Sequence, residues 1–161
     1  AYASQPEVHR FQPWEPSTPD SATRYVQYAM AQSQEQPRKE YALAIEIREQ
    51  QKVIGSCQLT IHNAQFQSSE IGYFLNSGYW GFGYATEAAR ALLEFGFSAL
   101  SLHRVFAQCD PRNRASIRVL ERLGMQYEGH LRETMLIHDG WRDSLIYSLL
   151  VHEWTKESGI F

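Results

Sequence analysis

Apolar side chains fall on alternate positions at Tyr41, Leu43, Ile45 and Ile47. After a polar turn at residues 50–52 the pattern resumes at Val53, Cys57, Leu59 and Ile61. Alternation of this kind turns one face of a strand inward, so the stretch predicts two antiparallel strands. A third strand is expected over residues 70–75. Upstream, Pro13, Pro16 and Pro19 around Trp14 predict an ordered loop, then a helix that starts at Thr18 or Asp20 and ends near Gln34. Its apolar residues Ala22, Tyr25, Val26 and Ala29 have the i, i+3, i+4, i+7 spacing of one helix face, which is expected to join the core.

Beyond residue 75 a glycine-rich connection leads into an Ala- and Leu-rich stretch that predicts a helix over 83–100. Residues 104–109 read as a short buried strand, and Pro111 precedes a second helix over 113–123 with Gly124 as its left-handed cap. Residues 131–137 and 142–150 flank Asp139-Gly140, a pair that tolerates the positive φ of a tight hairpin. The order helix, three strands, helix, strand, helix, hairpin predicts an α/β (α+β) layer with a mixed, mostly antiparallel sheet. The strands joined through the 83–100 helix should be parallel neighbours. No repeat, low-complexity tract or linker divides the chain, so residues 1–161 are read as a single domain.

A net charge of -3 gives no overall pull toward nucleic acid or an anionic membrane, and neither is expected as a partner. An anionic ligand would need a local site. No apolar run approaches the ~20 residues of a membrane span, and the start of the chain lacks a charged-then-apolar signal pattern, so a soluble, cytoplasmic protein is expected. Cys57 and Cys109 have neither metal nor redox spacing; they are expected to be buried reduced thiols, with no metal site.

The segment Trp80-Gly81-Phe82-Gly83-Tyr84-Ala85-Thr86 lies where a strand runs into a helix. A helix N-terminus offers unpaired N–H groups and partial positive charge, and glycine lets the backbone approach a phosphate closely. The segment is not the dinucleotide fingerprint, because Thr86 stands where a third glycine is needed, and no G-x-x-x-x-G-K-[ST] occurs. On these residues alone a tight turn and a phosphate cradle are both open.

More motifs follow in order: Glu70-Ile71-Gly72-Tyr73-Phe74-Leu75 before the glycines, then Leu102-His103-Arg104-Val105, Asp110-Pro111-Arg112-Asn113-Arg114-Ala115-Ser116, Leu120-Glu121-Arg122-Leu123-Gly124-Met125, Glu128-Gly129 and Trp141-Arg142-Asp143. Over roughly residues 8 to 154 the chain resembles the GNAT superfamily of N-acetyltransferases, in the branch of the ribosomal-protein N-alpha-acetyltransferases. The resemblance implies a single-domain fold whose central sheet splays between two parallel strands, and acetyl-CoA as cosubstrate. Two departures stand out. The Gln or Arg that opens the family's Q/R-x-x-G-x-G is Gly78, and the family's opening strand has no counterpart, which leaves a sheet edge exposed or differently filled.

Acetyl transfer needs a neutral amine, a path for its proton, donors for the oxyanion and a proton for the departing thiolate. The resemblance assigns cofactor binding to the backbone of Phe74 and Leu75, the loop residues 80–86 and Asn113; Asn113 also suits a plain helix cap. The tyrosine that protonates the thiolate in many family members, seven residues beyond that Asn, is Leu120 here. Ser116 is the nearest hydroxyl and the implied acid, with a second capping role as the plain reading. Glu70 and Glu133 are the candidate bases, and His138 is a weaker one. Trp14, Tyr73 and Trp141 are candidates for an acceptor groove. Arg114, Arg118 and Arg122 share a helix face, expected to be solvated and paired with acids; alternatively Arg112 or Arg118 meets a CoA phosphate. The expected acceptor is a primary amine, a protein N-terminus or a small molecule, and the chain could be a monomer or homodimer. A non-catalytic CoA-binding sensor and an ordinary mononucleotide-binding domain are the competing readings.

Overall fold

The computed structural model describes residues 2–158, with side chains through residue 154. A 3₁₀ turn at Tyr2–Ser4 and a one-turn helix α1 (Pro6–His9) precede α2 (Pro19–Ser33). Helix α2 begins at residue 19 because Thr18 and Ser21 cap each other: the Ser21 N–H donates to Thr18 Oγ1 at 3.2 Å and the Thr18 N–H to Ser21 Oγ at 2.9 Å. Strands β1 (Glu40–Ile47), β2 (Lys52–Asn63) and β3 (Ser68–Leu75) then form an antiparallel meander. Helix α3 (Tyr84–Ser98) carries the chain over to β4 (Arg104–Cys109), which runs parallel to β3. Helix α4 (Arg114–Arg122), the hairpin of β5 (Gln126–Ile137) and β6 (Gly140–Leu150), and α5 (Val151–Ser158) complete the order. The six-stranded sheet runs β1-β2-β3-β4-β6-β5, with β1 on one outer edge.

The predicted α/β layer, its parallel pair and its hairpin are present; Gly124 follows α4 at φ 74 and Gly140 turns the hairpin at φ 116. Helices α1 and α5 and the early start of β5 had no periodic signal. Residues 126–130 pair with β6 across a register shift between Tyr127 and Gly129, and the shift breaks the alternation that marks a strand.

The core lies on one face of the sheet. Ala89, Leu92, Leu93 and Phe97 of α3, and Ile117 and Leu120 of α4, pack against Leu59, Ile71, Val105 and Leu149. The expected core face of α2 is corrected here: none of its residues is buried, and Tyr25 and Val26 are 45% and 55% exposed. Helix α2 lies at the outer strand β1, held there in part by a Tyr28 hydroxyl to Glu40 bond of 2.8 Å, while α3 and α4 already fill the space above the central strands. No helix among the described residues is long and apolar enough to cross a membrane.

Candidate active site

Strands β3 and β4 pair only where Ser68, Ser69 and Glu70 lie beside Arg104, Val105 and Phe106. Beyond Glu70 they diverge, and the opening belongs to a cleft of about 730 Å³ that reaches the α3 N-terminus, the start of α4 and the Glu7–Trp14 segment. Alternate side chains of β3 point to opposite faces of the sheet. Ile71, Tyr73 and Leu75 face the helices, whereas Glu70, Gly72 and Phe74 face the other way, where Trp14 packs edge-on against Phe74 with ring centroids 5.9 Å apart.

At the helix end, Gly81 and Gly83 hold φ 85 and 89, a region that L side chains rarely adopt. A Cβ at either position would meet nothing within 4 Å, so the loop leaves open space before α3. Helix α2 is capped by Thr18 and α4 by Asn113, but Gly83 gives α3 no side-chain cap. The first-turn N–H groups of Tyr84, Ala85 and Thr86 are therefore available to an anion. The turn before them is tied to the N-terminal segment, since Gln5 Oε1 accepts the Ser77 N–H at 3.0 Å. Of the predicted cofactor residues, Phe74, Leu75, Trp80, Gly81, Gly83, Tyr84, Ala85, Thr86, Asn113 and Ser116 line the cleft. Phe82 does not; its ring is 73% exposed, leaving only its backbone in the loop. The Trp80 indole N–H donates to the Leu75 carbonyl at 2.8 Å, which occupies one lone pair of a predicted pantetheine partner.

Arg114, Arg118 and Arg122 line the same cleft, and none of them forms an ion pair among the described residues. The expected pairing of this face with acids is not found among the described residues. Arg112 is committed elsewhere: it bonds Asp110 through Nη2 at 2.8 Å and Asp139 through Nη1 at 2.7 Å. The buried Asp110 carboxylate also accepts the Arg112 N–H at 2.7 Å, and this turn sets the start of α4.

Asn113 Oδ1 accepts the Ser116 N–H at 3.1 Å, which is the plain capping role and leaves its amide nitrogen for a ligand. Ser116 Oγ lies 2.9 Å from the Tyr73 hydroxyl, which is also 3.3 Å from the Ser116 carbonyl. Burial pushes the Tyr73 phenol well above its ordinary value, and its bond to Ser116 offsets only part of that. Cys109 also lines the cleft, but burial pushes its thiol up to about 11, so it stays protonated and is a poor nucleophile at neutral pH. Cys57 is likewise a free buried thiol.

On the opposite face Glu70 lines the cleft, and its carboxylate accepts from the protonated Nε2 of His62 at 2.9 Å. Glu133 is not brought there. Strand β5 bulges between Leu131 and Met135, and Glu133 takes φ 51 with its N–H on Asp143 Oδ1 at 2.8 Å. Its side chain lines a separate surface hollow with His130 and Asp143. Trp14 and Tyr73 both line the cleft, Tyr73 from the helix face of β3. Trp141 sits at the outer end of the hairpin opposite Leu136, 63% exposed and away from the cleft. His138 lies 3.1 Å from Glu15 beside the hairpin turn. Among the described residues no cluster of three or more His, Cys, Asp or Glu could hold a metal.

Two roles were missed. Tyr73 shares its parity on β3 with the core residues Ile71 and Leu75, a signal that would have turned it toward α4. Arg142, buried, donates to the Phe11 carbonyl and to Ser144 Oγ, both at 2.8 Å, and so anchors the N-terminal segment over the cleft. No sequence periodicity announces that contact across 131 positions.

The geometry is matched by similarity to known proteins. The family model described as "Acetyltransferase (GNAT) domain" matches residues 1–126. The uncharacterised N-acetyltransferase p20 of Bacillus licheniformis is 33% identical over 154 residues, 95% of this chain and 85% of its own length. YnaD of Bacillus subtilis (strain 168), an uncharacterised N-acetyltransferase, is 42% identical over 85 residues, 53% of this chain and 50% of its own. The [ribosomal protein uS5]-alanine N-acetyltransferase of Escherichia coli (strain K12) is 28% identical over 66% of this chain and 56% of its own. The chain thus spans only about half the length of YnaD and of the uS5 enzyme. A crystal structure of a GNAT-family acetyltransferase from Bacillus anthracis superposes with a TM-score of 0.83 at 29% identity, covering 94% of this chain and 86% of that one. The chain belongs to the GNAT family of acetyltransferases, enzymes that use acetyl-CoA as the acyl donor.

Proposed function

We propose that this chain is a single, cytoplasmic N-acetyltransferase domain that moves the acetyl group of acetyl-CoA onto a primary amine by direct attack on the thioester. The observation that carries the reading is one continuous cleft that joins the uncapped N-terminus of α3 to the gap between β3 and β4. The first-turn N–H groups of α3 bind the pyrophosphate, with Arg118 at the phosphate end. The backbone of Phe74 and Leu75 and the amide of Asn113 hold the pantetheine arm. The thioester then sits in the gap, with Ser116 on one face of the sheet and Glu70 on the other.

That arrangement separates the two proton transfers. The amine nitrogen attacks the carbonyl carbon from the Glu70 face, forming the C–N bond, and its proton leaves through Glu70 to water. The C–S bond breaks toward the helix face; the sulfur takes the Ser116 hydroxyl proton, and the serine takes one back from solvent. The protonated Cys109 argues against an acetyl-cysteine relay and so for direct transfer. Free thiols at Cys57 and Cys109 suit a reducing compartment.

The acceptor amine belongs either to a protein N-terminus or to a small molecule. Alanine-starting peptides are the first acceptor to try, because the E. coli relative acts on a ribosomal-protein alanine. Thiol release from acetyl-CoA, measured with pooled N-terminal peptides and pooled small amines, is the test. Amine-dependent release is expected. Tight acetyl-CoA binding without release across both pools would overturn the reading in favour of a CoA-binding module.

A further inference from the structure

We propose that Tyr73 is a positioning residue for thiolate departure: its hydroxyl donates to Ser116 Oγ and leaves the serine's own proton aimed at the sulfur. The proposal rests on the reading of Ser116 as the group that meets the thiolate.

A serine hydroxyl has one proton and two lone pairs. That proton goes either to the Tyr73 oxygen or to another acceptor, according to which hydroxyl of the pair donates. A donor on Oγ fixes the rotor by taking a lone pair. Either oxygen of the pair can donate across its 2.9 Å, but the phenol's other acceptor, the Ser116 carbonyl, is farther at 3.3 Å, so Tyr73 is placed to be that donor. The serine backbone is fixed independently, since Asn113 Oδ1 holds its N–H. Strand β3 supplies the tyrosine rather than helix α4, where the side chain at Leu120, one turn beyond Ser116, is an apolar residue fully buried in the core. A phenol from the neighbouring strand meets the helix one turn earlier, through the serine.

The phenol is not itself the acid. Burial holds it protonated far above neutrality, and a tyrosinate left beneath α4 would be an uncompensated buried charge. Tyr73 therefore keeps its proton throughout: the C–S electron pair goes to sulfur, the sulfur takes the Ser116 proton, and solvent in the open cleft returns one to Ser116.

The test is a double-mutant cycle on Tyr73→Phe and Ser116→Ala, read as kcat with saturating amine, together with the preference for CoA over desulfo-CoA measured by calorimetry. Loss of the serine is expected to lower kcat by about 100-fold, within the range for a positioned acid. Tyr73→Phe is expected to lower it by about tenfold, the worth of one oriented hydrogen bond, with the KM for acetyl-CoA unchanged. The double variant should match Ser116→Ala alone, and both single variants should lose the CoA preference. Losses that multiply, or a Tyr73→Phe enzyme that runs at the original rate while Ser116→Ala is slow, would overturn the role of Tyr73. A Ser116→Ala enzyme at the original rate would instead sink the reading of Ser116, and a slow Tyr73→Phe beside it would make the phenol the direct donor, against this proposal. The calorimetric preference needs no turnover, so it decides the point even if Tyr73→Phe is too unstable for kinetics at assay temperature.

Discussion

Gly55 of β2 pairs with Leu75, where β3 reaches the cleft, and offers the sharpest structural test. An added Cβ would lie 2.2 Å from the Phe74 carbonyl oxygen, 3.0 Å from Leu75 Cδ1 and 3.2 Å from Leu75 Cα. The first contact is more than 1 Å inside ordinary van der Waals range and its partner is backbone, so a side-chain rotation cannot relieve it. Gly55→Ala must push β3 away from β2. Overpacking of this kind costs about 2 kcal/mol. For a domain of this size that lowers Tm by roughly 4–8 °C. The displaced residues are the proposed pantetheine partners, and losing one of their backbone hydrogen bonds should weaken CoA binding by about tenfold. Scanning calorimetry and CoA titration on the same sample read both effects. Gly72→Ala is the control for stability and CoA affinity, because the nearest atoms to its Cβ belong to the Gln58 side chain at an ordinary 3.6 Å, so little should change. A Gly55→Ala protein with the original Tm and CoA affinity would refute the reasoning.

Arg118→Ala should weaken CoA about tenfold and leave dephospho-CoA less affected, whereas Arg112→Ala should keep CoA affinity, because Arg112 is occupied by Asp110 and Asp139; equal effects in a titration would contradict this assignment. Glu70→Gln should lower kcat about 100-fold at neutral pH with acetyl-CoA KM preserved, and steady-state rates equal to those of the unaltered protein would remove Glu70 as the base. Glu128, bonded to Arg104 and to Ser148 Oγ, is lowered from 4.5 to about 2. Its folded-state value is depressed, so the pair's stabilisation is full above 4.5 and is lost as pH falls toward 2. Screening at this partly exposed site limits the effect to about 1 kcal/mol. Glu128→Gln should therefore flatten that part of the stability curve in urea melts between those pH values, and an unchanged acid limb would count against the pair.

The strands β1 to β4, the helices α3 and α4 and the hairpin turn were legible in the chain itself, because each carries a local cause: period-two alternation, an amphipathic stripe, Gly124 at a positive φ, or Asp139-Gly140 in a turn. The turn at Gly81 and Gly83 and the helix start after it were legible for the same reason, since glycine spacing and the following helix are both local, whereas those residues alone left the phosphate role open. Contacts between distant segments were not. Glu133 looked suited to the cleft until a bulge in β5 turned it into a separate hollow, and the apolar stripe of α2 proved to lie at the sheet's outer edge, largely exposed. The bond from Tyr73 to Ser116 spans 43 positions and that from Arg142 to Phe11 spans 131. Periodicity states which face a side chain takes on its own element; only packing of the elements decides what that face meets.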